Sequence, residues 1–169
     1  RELDLPKLDA LNIEEYVELL SNKSLKIRMY AQQALINNSL ENKLSELTLS
    51  LKNATDPNTI IHLLWTLEGL DGLSIDLLSQ LLAANNDKAV LKHIIWLYTE
   101  FSLSDDQMTT LYETITNFDS RPLDYLLATI LGAKPSYLPL WQKMYSKDPN
   151  DALIIEALAG GIQDLEVYQ

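Results

Sequence analysis

Two histidines, His62 and His93, stand 31 residues apart, and imidazole is the side chain most often recruited to hold a metal ion or move a proton near neutral pH. In a chain built from repeats of that length they could face the same side of neighbouring helices. Stacked helices lie about 8–10 Å apart, which is wide for two imidazoles on one ion. No third ligand stands at helical spacing beside both. They are read as structural or surface histidines, and no metal site is expected.

Paired carboxylates are the other reactive grouping. Glu14-Glu15, Asp105-Asp106 and Asp148 with Asp151 have the composition of an acid–base pair acting on a sugar. Each pair falls in the first turn of an expected helix, where carboxylates meet the exposed N–H groups and the positive end of the helix dipole. Capping is the preferred reading. There is no Gly-rich phosphate loop, no Gly-x-Ser-x-Gly elbow, no EF-hand spacing and no Ser/His/Asp grouping. No catalytic, cofactor-binding or metal-binding residue is assigned.

Six residues, Arg28, Trp65, Glu68, Tyr137, Trp141 and Tyr145, remain as interaction or inter-repeat candidates. Arg28 and Glu68 sit inside otherwise apolar helical patterns, and buried charges seldom persist unpaired, so they are expected to meet backbone carbonyls or one another. Trp65 and Trp96 lie on wide apolar stripes and read as core. Trp141, near Tyr137 and Tyr145, reads as a surface anchor.

The elements that position these residues are helices. Turn signals recur at Asn37-Asn38, Thr55-Asp56-Pro57, Leu70-Asp71-Gly72, Asn85-Asn86-Asp87, Asp119-Ser120-Arg121-Pro122, Ala133-Lys134-Pro135 and Asp148-Pro149-Asn150. Asn12 with Glu15 and Ser104 with Gln107 have capping-box spacing, while Asp56-Pro57 and Asp148-Pro149 place an acceptor at the N-cap and Pro at the first helical position. The spacing predicts helices near 13–21, 25–37, 41–53, 58–70, 75–84, 88–101, 105–117, 122–132, 136–146 and 150–160.

Paired in order, these make about five hairpins. The second member of each is the greasier, as Ile60–Leu70 and Val90–Phe101 show, whereas first members carry narrow stripes such as Ile13, Tyr16, Val17 and Leu20. A helix touching its own partner and both neighbouring repeats must be apolar over most of its girth. Leu35, Leu67, Leu97 and Leu131 recur at separations of 32, 30 and 34. The last pair differs, with Ala152, Ala157, Ala159, Gly160 and Gly161 allowing close helix approach and the two glycines ending the helix. The expected fold is all-α, a right-handed α-α superhelix of about five stacked helix pairs, as a single domain over residues 1–169.

Composition narrows the partners. At 169 residues, 47% hydrophobic and 22% charged, the chain can build a buried core. A net charge of −11, from 24 acidic against 13 basic residues, disfavours nucleic acid and anionic membrane surfaces. The absence of cysteine leaves the redox compartment open and excludes a thiolate site. The apolar runs are far short of the roughly 20 residues that cross a bilayer. The chain begins with Arg1 and its end, Gly161–Leu165, reads as the approach to a further helix, so it is expected to be a fragment of a larger multidomain protein.

The run His62-Leu63-Leu64-Trp65-Thr66-Leu67-Glu68-Gly69-Leu70-Asp71-Gly72-Leu73, with Ile27–Leu35 before it and Leu127–Gly132 and Ala152–Leu158 after it, resembles HEAT-like repeats of the PBS-lyase type. More narrowly, it is similar to the HEAT region of bacterial membrane-bound dehydrogenase proteins, which join a glucose/sorbosone-dehydrogenase-like propeller, HEAT repeats and a cytochrome c domain. The third pair departs from this pattern: the usual Arg near the start of the second helix is missing, and Lys92 and His93 stand nearby. The resemblance implies a periplasmic or cell-surface parent concerned with sugar or polyol oxidation, with no cofactor in this part. The sequence itself leaves localisation undetermined.

The reading is therefore a non-catalytic scaffold or protein-interaction module, docking other domains of its parent chain or a protein partner. The alternative is a helical-repeat enzyme such as a chromophore lyase-like protein. Docking predicts patches of exposed apolar or aromatic side chains along one face of the helices.

Overall fold

The computed structural model describes residues 11–39, 41–133 and 135–160, and among them the chain is helical throughout, without β-strand. The helices are α1 (Ile13–Leu20), α2 (Leu25–Asn37), α3 (Lys43–Asn53), α4 (Pro57–Glu68), α5 (Ile75–Ala84), α6 (Lys88–Tyr98), α7 (Asp105–Thr116), α8 (Arg121–Gly132), α9 (Leu138–Lys147) and α10 (Ala152–Ala159), with a 3₁₀ turn at Pro135–Tyr137 before α9. Lys134 and the expected features at Gly161–Leu165 lie outside the described residues.

Most helices start where the local chemistry dictates. Glu15 N–H donates to Asn12 Oδ1 at 2.9 Å while Asn12 N–H donates to Glu15 Oε2 at 2.8 Å, and Ser104 and Gln107 form the same reciprocal box. Asp56 accepts from the Thr59 amide at the N-terminus of α4, with Pro57 at the first helical position. The expected start at Asp148-Pro149 is corrected. Asp148 instead closes α9, and α10 begins after Asp151, whose Oδ1 accepts from the amides of Leu153 and Ile154.

The second helices α2, α4, α6, α8 and α10 have N-caps Ser24, Asp56, Asp87, Ser120 and Asp151. These are 32, 31, 33 and 31 residues apart. The wide apolar girth expected of second helices holds for α4, α6 and α8, each burying six or seven residues. It fails for α2, which buries only Ala31 and Leu35, and for α10, which buries only Ile154 and Leu158. α2 packs on α1 and α4, and α10 on α8 and α9.

The chain divides between Leu81 and Leu82 into two compact units. In the first, α4 packs on α1, α2 and α3, which buries Ile60, Leu63, Leu64 and Leu67 in several directions at once. It ends in a Schellman motif. The Gly72 amide donates to Leu67 O at 2.7 Å and the Asp71 amide to Glu68 O at 2.9 Å, with Asp71 in the left-handed region at φ 54°. A Cβ at Gly72 would stand 2.5 Å from Leu44 Cδ2, the end of an exposed side chain that can turn aside. The C-terminus of α2 is satisfied by Lys43, whose Nζ donates to Ile36 O and Asn38 O at 3.2 and 2.7 Å.

In the second unit, α8 packs on α6, α7, α9 and α10. Its last residue, Gly132, lies against the backbone of α10, where an added Cβ would come within 2.6 Å of the carbonyl oxygens of Ala157 and Leu158. The close approach anticipated from the small residues of α10 is thus made by a glycine on the partner helix. Trp141 on α9 fastens the same end by donating Nε1–H to Leu158 O at 3.1 Å. Because the atoms facing Gly132 are backbone, Gly132→Ala has to separate α8 from α10. Urea unfolding of the full chain should show a loss of about 1–3 kcal/mol; an unchanged midpoint would show that the two helices are not held at this distance.

Candidate functional site

Three second helices of the second unit, α6, α8 and α10, leave an open groove of about 460 Å³ between their side chains. On α6, Lys92 and Trp96 are one helical turn apart and so share a face; on α8 the same spacing brings together Arg121 with Tyr125 and Pro122 with Leu126. Leu153 and Ile154 of α10 complete the wall. Trp96, Tyr125 and Leu153 are 57, 43 and 48% exposed. Three large apolar side chains are thus turned to water around one concavity.

The walls stay half open to solvent, so a ligand would be covered from one side. A small-molecule site normally encloses most of its ligand. The groove suits a side chain presented by another backbone.

Its charge is of one sign. The lining contains Lys92, His93 and Arg121 and no carboxylate. His93 is pulled below the ordinary imidazole range, first by burial and then by the neighbouring Lys92 charge, so it stands as a neutral ring at neutral pH. Arg121 is held by Asp151 in a two-pronged contact, Nε to Oδ2 at 2.6 Å and Nη2 to Oδ1 at 3.0 Å. This pair ties the first residue of α8 to the N-cap of α10 and sets one end of the groove. Lys92 is exposed and makes no ion pair among the described residues.

A smaller polar depression of about 210 Å³ lies beyond Arg121, with Asp119, Asp124, Asp148 and Lys147 in its wall. Lys147 Nζ donates to Asp124 Oδ2 at 3.2 Å, and Asp124 Oδ1 is buried without a partner. Among the described residues no group of three or more His, Asp or Glu side chains is arranged to hold a metal ion. No described helix is long and apolar enough to cross a membrane.

The residues singled out from the sequence do not assemble into one site. Arg28 is half-buried in the first unit and joins the α1–α2 turn to α4: Nη1 donates to Asn22 O and Lys23 O at 2.7 and 3.2 Å, and Nε donates to His62 Nε2 at 3.0 Å. Since arginine can only donate, Nε2 of His62 must be the acceptor, which places the ring proton on Nδ1 facing Gln32 Oε1 at 2.6 Å. His62 is buried there, while His93 lines the groove of the other unit. Glu68, expected among apolar neighbours, is exposed as the last residue of α4. Trp65 is half-buried.

Tyr137 is buried, its hydroxyl donating to Leu103 O at 3.2 Å. Two expectations of burial are corrected. Trp141 is half-buried, stacked on Tyr145 with ring centroids 5.5 Å apart and bonded to Leu158 O. Its apolar face is already used. Trp96, read as core, is the most exposed tryptophan. The missed residues are thus Trp96, Tyr125 and Leu153. The signal that pointed nearest to them was the substitution of Lys92 and His93 for the expected Arg in the third pair.

Two outcomes follow from these contacts. Arg28→Leu leaves the buried His62 Nε2 and two turn carbonyls without their donor, and should lower the stability of the full chain by about 1–3 kcal/mol in urea unfolding; no loss would show that water replaces the guanidinium. The Asp151 carboxyl is lowered from 3.8 to about 2, chiefly by its hydrogen bond to Arg121. A depressed carboxylate contributes stability fully present above pH 3.8 and lost as pH falls toward 2. Arg121→Gln should flatten the stability profile across that interval, and an unaltered profile would show that the pair is not maintained in solution.

Compared with known proteins, the chain matches no family model, no curated protein and no solved structure.

Proposed function

We propose that this chain is a non-catalytic helical-repeat module that docks a peptide segment of another domain or protein in the groove of α6, α8 and α10. The observation that carries the reading is the gathering of exposed Trp96, Tyr125 and Leu153 around one concavity, since aromatic anchors in a pocket supply most of the energy of protein recognition. The periodic N-caps of the second helices and the wide apolar girth of α4, α6 and α8 support a right-handed α-α superhelix of HEAT-like pairs, in which such grooves lie between successive second helices. If the resemblance to the HEAT region of membrane-bound dehydrogenases extends to the parent, the segment belongs to a neighbouring domain of that periplasmic or cell-surface chain.

Panning a displayed random peptide library against the intact chain tests this. Enriched peptides should lose at least about tenfold in affinity on Trp96→Ala, whereas Leu49→Ala, which alters an exposed apolar residue of the other unit, should leave binding unchanged. Absence of enrichment, or equal binding by the Trp96→Ala variant, would overturn the proposal.

A further inference from the structure

Resting on the reading of the groove as a peptide site, we infer that the segment it takes carries a large apolar anchor and, two residues away, a carboxylate side chain. In a chain with 24 acidic and 13 basic residues, a concavity lined by Lys92, His93 and Arg121 without one carboxylate is a local reversal of sign. The nearest carboxylate, Asp151, is engaged by Arg121. The three groups contribute unequally. His93 is neutral and Arg121 is spent on Asp151, so the charge available to a ligand is that of exposed Lys92.

Geometry sets the spacing. Lys92 and Trp96 are one turn apart on α6, about 5–6 Å between Cβ atoms, and an extended peptide advances about 3.3 Å per residue. A segment that runs along α6 with its anchor against Trp96 brings the side chain two positions along, on the same face of the strand, to Lys92. Successive side chains of an extended segment alternate, so the residue between them points to solvent. A basic residue at that position meets the lysine ammonium and is disfavoured.

The test uses synthetic Gly-Ser decapeptides carrying a Trp anchor with Glu, Gln or Lys two residues away, titrated to millimolar concentration into the isotope-labelled full chain while the Trp96 indole N–H resonance is followed. Dissociation constants should rise about threefold from the Glu to the Gln peptide and about tenfold from the Glu to the Lys peptide, the scale of a partly exposed ion pair. Lys92→Glu should invert the order. Equal binding by all three peptides with a shifted Trp96 resonance would overturn the carboxylate inference and leave the groove as an apolar docking site. No shift of Trp96 by any peptide would overturn both.

Discussion

A helix that touches neighbours on several sides has to be apolar on several sides, and each compact unit is arranged around one helix that meets this demand. α4 in the first unit and α8 in the second bury leucine and isoleucine side chains around most of their circumference, each within reach of three or more other helices. Removing such area from water is the main favourable term in folding. By contrast α2 and α10 bury two residues each and leave Leu25, Met29, Tyr30 and Leu153 at the surface.

Around these helices the polar groups at helix ends are satisfied by two distinct means. The N-termini of α1, α4, α6 and α7 are closed by side chains within three residues, from Asn12, Asp56, Asp87 and Ser104. Turn and C-terminal carbonyls draw on donors from other elements, with Lys43 at the end of α2, Trp141 at the end of α10 and Arg28 at the α1–α2 turn. Such donors do more than satisfy an acceptor. Each fixes the position of one helix against another, because the carbonyl and the donor belong to different elements.

The groove is a by-product of the same packing. α6 and α10 both pack on α8, but the close approach at Gly132 concerns the C-terminal end of α8 and of α10. At the opposite ends, Arg121 and Asp151 hold the two helices through long polar side chains instead of backbone contact. The aromatic rings of Trp96 and Tyr125 line the groove with their apolar faces only partly covered. A surface of this kind costs hydration free energy in isolation and is offset when another apolar group covers it.

What the sequence determined by itself was local. The helices and most of their starting points were legible, because a cap is closed within three or four residues and the 3.6-residue periodicity is a property of the helix alone. Burial was legible only in part: Tyr16, Leu63, Leu91 and Leu127 lie where the apolar stripe placed them, yet Trp96 on the same kind of stripe faces water and Tyr137 is enclosed. The pairing of Arg28 with His62 and of Arg121 with Asp151 spans 34 and 30 residues, and the need for glycine at position 132 arises from the backbone of a helix about twenty residues later. Tertiary structure alone decided these features, because they depend on how far one helix is rotated and slid against the next, and no single segment encodes that offset.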